Sequence, residues 1–133
     1  MTHKVKLASR EWLELAEEHL SELVARSGND GYEFSMCEVF LNAPPGLIGQ
    51  NSGRTAWHFR ISGAQAKAEE GEVDDVDLKY ILDYKEAEQL ARIVLAPGDE
   101  GAGQASSLEV EGNSDKTPPY LRELHNFLAP LTL

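Results

Sequence analysis

The chain has 133 residues, 41% of them hydrophobic and 26% charged, a balance that fits one soluble domain with one core. Twelve basic against 23 acidic residues give a net charge of -11, which repels phosphate backbones and argues against a nucleic-acid partner or docking on anionic membranes. No apolar run is long enough to cross a bilayer, so no stable membrane insertion is expected. The opening MTHKVKLASREW lacks the apolar core of a signal peptide, which makes the cytoplasm the expected compartment. The single cysteine, Cys37, allows no internal disulfide and no zinc knuckle, and its apolar neighbours suit a small buried hydrophobe.

Residues 1–8 are expected to be a loose lead-in. Ser9 is placed to cap a helix running to about Arg26, with Leu13, Ala16, Leu20, Leu23 and Val24 as its apolar stripe. Tyr32 to Leu41 has strand character. Phe34, Met36 and Phe40 share one face, with Glu38 as the exception, and Cys37, Val39 and Leu41 lie opposite. Apolar residues on both faces put this strand inside the sheet.

A long connection, 42–55, carries Pro44-Pro45-Gly46. In it, Leu47 and Ile48 either tuck inward or form an exposed rim. Ala56 to Ser62 alternates cleanly, with Trp57, Phe59 and Ile61 inward and His58, Arg60 and Ser62 outward. After Gly63 comes a strand whose Ala64, Ala66 and Ala68 share one side. Methyl side chains there leave room for large neighbours such as Trp57, or for a ligand.

Asp75 to Leu95 changes period in mid-course. Val76, Leu78, Tyr80 and Leu82 alternate as in a strand. Ala87, Leu90, Ala91 and Val94 then fall on one helical stripe. Asp83 suits the N-cap and Glu86 the capping box. A strand running into a capped helix folds that helix back over the sheet, because both apolar faces need cover. Residues 96–106 are Gly/Ala-rich and are expected to be a flexible loop. Leu108 to Val110 gives a short last strand, and Thr117-Pro118 starts a final helix. The fold class is α+β: about five mainly antiparallel strands with an N-terminal helix, a covering helix and a C-terminal helix, all in a single domain, 1–133.

Several local sequences carry a resemblance. Trp57-His58-Phe59-Arg60-Ile61, Glu69-Glu70-Gly71 with Asp75-Val76-Asp77-Leu78, Asp83-Tyr84-Lys85-Glu86-Ala87, Ser107-Leu108-Glu109-Val110-Glu111-Gly112-Asn113 and Tyr120-Leu121-Arg122-Glu123-Leu124-His125 occur in that order. Together they resemble the sterol carrier protein 2 family from Trp57 to Leu131. Ser106-Ser107 stands where that family usually has Gly-Lys, and residues 32–55 resemble it only loosely. Pro130-Leu131-Thr132-Leu133 differs from the Ser-Lys-Leu address of peroxisomal members, which implies a bacterial-type or cytosolic relative. The resemblance implies a non-enzymatic fold that binds a lipid-like or other apolar ligand between sheet and helices, without specifying a sterol.

The candidate ligand-binding residues are Phe40, Trp57, Phe59, Leu78 and Tyr80 from the strands, Leu90 and Val94 from the covering helix, and Tyr120, Leu124 and Phe127 from a lid-like last helix. Each could instead fill an ordinary core with no gap, the reading favoured for any one of them because pockets are few per protein. Asp74, Asp75 and Asp77 lack the spacing of a calcium loop, and His3, His19, His58 and His125 lack zinc-ligand spacing, so neither metal nor cofactor is expected. Two other readings stay open. One is a small pocket enzyme using Asp and His as acid and base, or Cys37 with His58 or His125. The other is a protein-interaction module with an apolar rim at Leu47-Ile48.

Overall fold

The computed structural model describes residues 4–27, 33–96, 105–113, 115, 117–118 and 120–133. Its elements in chain order are α1 (Arg10–Ser27), β1 (Glu33–Leu41), β2 (Thr55–Ser62), β3 (Gln65–Glu70), β4 (Leu78–Asp83), α2 (Tyr84–Ala91), β5 (Glu109–Gly112) and α3 (Leu121–Leu128). The five strands form one sheet in the order β3-β2-β1-β4-β5. Every pairing is antiparallel except β1 with β4, which is parallel. The chain makes two hairpin-type pairings, then crosses over and lays β4 along the free side of β1. β1 is therefore central, as its two apolar faces require.

All three helices contribute to the core on one sheet face. Ala16, Leu20, Leu23 and Val24 of α1 meet Phe34, Phe40, Trp57, Phe59, Leu78 and Leu82 there. Ser9 caps α1, its Oγ accepting from Trp12 N at 3.2 Å. The β3 alanines admit α1 closely: Ser21 Oγ donates to the Ala66 carbonyl at 3.3 Å, and Ala68 N donates to Glu17 Oε2 at 2.8 Å. The room left by those methyl groups is taken by α1.

The opposite face has its own small cluster of Cys37, Val39, Ala56 and Ile81, covered by Val73 and Val76 of the crossover. Lys79 is buried on this side and reaches Glu72 at 2.8 Å and Asp74 at 2.6 Å. Burial opposes its charge, yet the bonds to Asp74 and Glu72 outweigh burial and raise its pKa.

Four expectations need correction. Residues 4–8 are not a loose lead-in. Val5 N donates to the Leu131 carbonyl at 2.7 Å, Leu133 N donates to Val5 O at 2.8 Å, and Val5, Leu7 and Ala8 are buried. Alternating Val5 and Leu7 form a strand-like segment that the C-terminal tail completes. Next, α2 stops at Ala91, capped by Arg92, so Val94 lies beyond it and is 64% exposed. Its neighbour Leu95 is drawn to α3 instead, where Asn126 pairs with both its N–H (2.7 Å) and its carbonyl (3.1 Å).

Third, α3 begins at Leu121 and not at Thr117, with Tyr120 as an N-cap that makes no side-chain cap bond. Finally, Glu86 does not close a capping box. Asp83 caps α2 through Lys85 N (3.1 Å), but Glu86 grips Ser106 and Ser107, and Ser107 Oγ takes the Asp83 N–H (3.0 Å). The expected flexible loop, 96–106, falls largely outside the described residues. Its end at Ala105-Ser106 is held by this Glu86 clasp.

Candidate functional site

α2 covers β1 with Tyr84, edge-on to Phe40 with ring centroids 6.0 Å apart, and with smaller side chains beyond it. Its buried residues are Tyr84 and Ala87, while Leu90 and Ala91 are only partly buried. Two alanines cannot fill the gap to Phe40 on the sheet, and a cavity of about 70 Å³ remains. It is lined by Leu7, Trp12, Glu38, Phe40, Ala87, Leu90, Ala91 and His125. α1, α2 and α3 each contribute to it, so the cavity lies between the sheet and these helices. Drug-sized ligands occupy roughly 300–1,000 Å³, and an empty cavity of about 150 Å³ holds benzene, so this partly open space admits one small group and not a lipid.

One wall is aromatic and polar. Trp12 stands edge-on to Trp57, with ring centroids 5.1 Å apart at 89°. Trp57 Nε1 donates to Glu38 Oε1 at 2.9 Å. Burial pushes the Glu38 carboxyl pKa up, against the opposing effect of the Trp57 bond. The indole N–H of Trp12 is buried and has no hydrogen-bond partner among the described residues. Such an orphan costs about 1–3 kcal/mol. On the α3 side, His125 Nε2 donates to the Ile93 carbonyl at 2.7 Å, and burial lowers the imidazole pKa despite that bond.

Of the expected site residues, Phe40 and Leu90 line the cavity. Trp57, Phe59 and Leu78 are buried core around it, and Tyr80 packs on the same core half-buried. Tyr120 and Leu124 are buried beneath α3. Phe127 turns outward, 37% exposed, and stacks on His19 with centroids 3.9 Å apart. Val94 is outside the site. Trp12, Leu7 and His125 are not among the residues expected to bind a ligand, and Glu38 stands out in the sequence only as an exception in its strand. Trp12 does carry a signal: it precedes Ala16, Leu20 and Val24 at intervals of four on the buried stripe.

The other candidate chemistries are occupied by protein partners. Cys37 is fully buried, faces His58 across the β1–β2 pair, and has its thiol pKa pushed up by burial, the reverse of what a nucleophile needs. His58 Nδ1 contacts the Gly71 carbonyl at 3.0 Å. Asp77 accepts from Ser35 N (2.9 Å), Asp75 pairs with Arg60 (3.0 Å) and Asp74 with Lys79. Among the described residues no cluster of His, Cys, Asp or Glu is arranged to hold a metal. Ile48 is buried, and its N–H donates to the Ala8 carbonyl at 3.0 Å, so the apolar rim expected at Leu47-Ile48 is turned inward.

Two solved structures resemble this arrangement throughout its length. One is sterol carrier protein 2, at 16% identity with a TM-score of 0.62, covering 96% of this chain and 100% of that one. This chain has the sterol carrier protein 2 fold. The other is a conserved hypothetical protein of Thermus thermophilus, described as a possible sterol carrier protein. It shares 18% identity with a TM-score of 0.55 and covers 97% of this chain and 96% of its own. No family model and no curated protein matches the sequence. Among the described residues, no helix is long and apolar enough to cross a membrane.

Proposed function

We propose that this sterol carrier protein 2-like chain binds an apolar or amphipathic small molecule between its sheet and α2, and releases it unchanged. The observation that supports this most is the unfilled space beside Phe40, beneath Ala87, Leu90 and Ala91 of α2. Burial of ligand surface supplies the affinity, at about 25 cal/mol per Å² of apolar area, and no covalent step follows. The ligand body needs more room than about 70 Å³, so entry moves α2 away from the sheet.

Several ties resist that movement, among them the Glu86 bonds to Ser106 and Ser107 and the bond from Arg92 Nε to the Leu133 carbonyl at 2.6 Å. Tyr84 Oη donates to the Leu7 carbonyl at 2.8 Å, Lys6 lies 3.6 Å from Glu88, and the Ile93 carbonyl holds His125.

Native mass spectrometry of gently purified protein, followed by titration with a pyrene-labelled alkyl chain, tests this function. Saturable binding that Leu90→Glu abolishes without lowering the content of folded protein supports it. No retained small molecule and no saturable probe binding would remove it. Trp57→Ala and Leu78→Glu are unsuitable probes, because both residues are structural core.

A further inference from the structure

The cavity wall made by α1 and β1 is not merely apolar, and its two polar groups are complementary. Trp12 supplies a buried N–H donor with no acceptor among the described residues. Glu38 uses Oε1 to accept from Trp57 and lines the same cavity, and a carboxyl has further acceptor capacity. His125 lines the cavity too, on the α3 side; its Nε2 is committed to the Ile93 carbonyl, and Nδ1 of the neutral ring is an acceptor and not a donor. The rest of the lining, Leu7, Phe40, Ala87, Leu90 and Ala91, offers no side-chain donor or acceptor.

We propose that this wall is a hydroxyl-selective subsite: a ligand oxygen accepts from the Trp12 indole, and the ligand O–H donates to Glu38. The inference rests on the binding function proposed above and names the polar end of its ligand as an alcohol. Of the simple head groups, only one that accepts and donates satisfies both partners. A carbonyl oxygen answers Trp12 alone. An ammonium answers Glu38 and leaves the indole orphaned. A carboxylate meets the Glu38 carboxyl at close range in a chain of net charge -11. The cavity is the size of a head group, so the alcohol enters polar end first and its alkyl tail lies under α2, along Leu90 and Ala91.

The test uses 15N-labelled full-length protein and three probes of one chain length: 1-hexanol, hexanoate and n-hexane. The chain has two tryptophans, so the indole spectrum is simple and Trp12→Phe assigns it. We expect 1-hexanol to shift the Trp12 indole resonance saturably and to bind about tenfold tighter than either other probe, the ratio that one hydrogen bond to a desolvated donor supplies. Glu38→Gln should keep the alcohol and narrow its lead over hexanoate.

Equal affinity for hexanol and hexane, with the Trp12 indole unmoved, would overturn the subsite and leave the binding function standing. A hexanoate preference would overturn it likewise. Failure of all three probes to bind would remove both. Should Trp12→Phe misfold, the wild-type indole shift and Glu38→Gln still decide the question.

Discussion

Trp57 and Glu38 face each other directly across β1 and β2, and the indole N–H donates to the carboxylate at 2.9 Å. An acid thus sits on the core side of the central strand, satisfied by a tryptophan on its neighbour. Glu38→Ala leaves the Trp57 N–H unpaired and is expected to cost about 1–3 kcal/mol in denaturant unfolding. Glu38→Gln keeps an acceptor and removes the charge. Because burial raises the folded-state pKa above the ordinary 4.5, the Glu38 contribution to stability is full below that value and is lost as pH rises through the folded pKa. The stability of Glu38→Gln relative to wild type should therefore grow with pH above 4.5, as measured by thermal melts across pH. A constant difference would contradict the burial of this charge.

Lys79 offers a contrast. Its ammonium is buried, but Asp74 is exposed and Glu72 also holds Arg54. Removing the charge leaves both carboxylates solvated or paired. Lys79→Met, which keeps the packed stem, should change stability by less than about 1 kcal/mol. A loss well beyond that in chemical denaturation would mean the ion pairs hold the crossover in place.

Glu86 accepts four hydrogen bonds of 2.6 to 2.9 Å from the amides and hydroxyls of Ser106 and Ser107. The Ser107 and Ser106 bonds hold its pKa down at about 2. With the folded value below the unfolded one, its contribution is present above pH 4.5 and is lost as pH falls from there towards 2. The hydrogen-exchange protection of the Ser106 and Ser107 amides, taken against the intrinsic rate at each pH, should fall through that window. In Glu86→Gln protection should already be low and insensitive to acid; an unchanged acid transition in the variant would place its origin elsewhere.

Gly112 closes β5 at φ 95°, where an added Cβ would lie 2.2 Å from the Asp77 carbonyl oxygen. That oxygen also accepts from Asn113 N at 2.9 Å. Gly112→Ala combines a left-handed backbone with a clash against the main chain, and should cost more than about 1 kcal/mol and release β5 from β4. Loss of amide protection at Lys79 and Ile81 would show it; retained protection would contradict it.

Much of this architecture is legible in the residues. The α1 stripe, the alternation of Trp57, Phe59 and Ile61, and the change of period at Asp83 each fix a local structure and its buried face. The cavity is not legible in the same way, because a void is a sum over packing partners distant in sequence. The alanines of β3 and those of α2 look alike as letters. α1 closes on the first set, while nothing large enough covers the second. Glu38 looks like a flaw in an apolar strand until Trp57 is seen opposite. Val94 continues the helical stripe, yet Asn126 captures Leu95 and ends the helix first.

Ala91 gives the most direct test of the space beneath α2. Methyl NMR of Leu90 and Ala87 should follow 1-hexanol titrated into wild-type protein and into Ala91→Leu. The leucine fills the cavity, so the variant should gain about 0.5–2 kcal/mol in stability and lose the saturable methyl shifts seen in wild type. Shifts that persist unchanged in Ala91→Leu, or that never saturate in wild type, would contradict binding at this site.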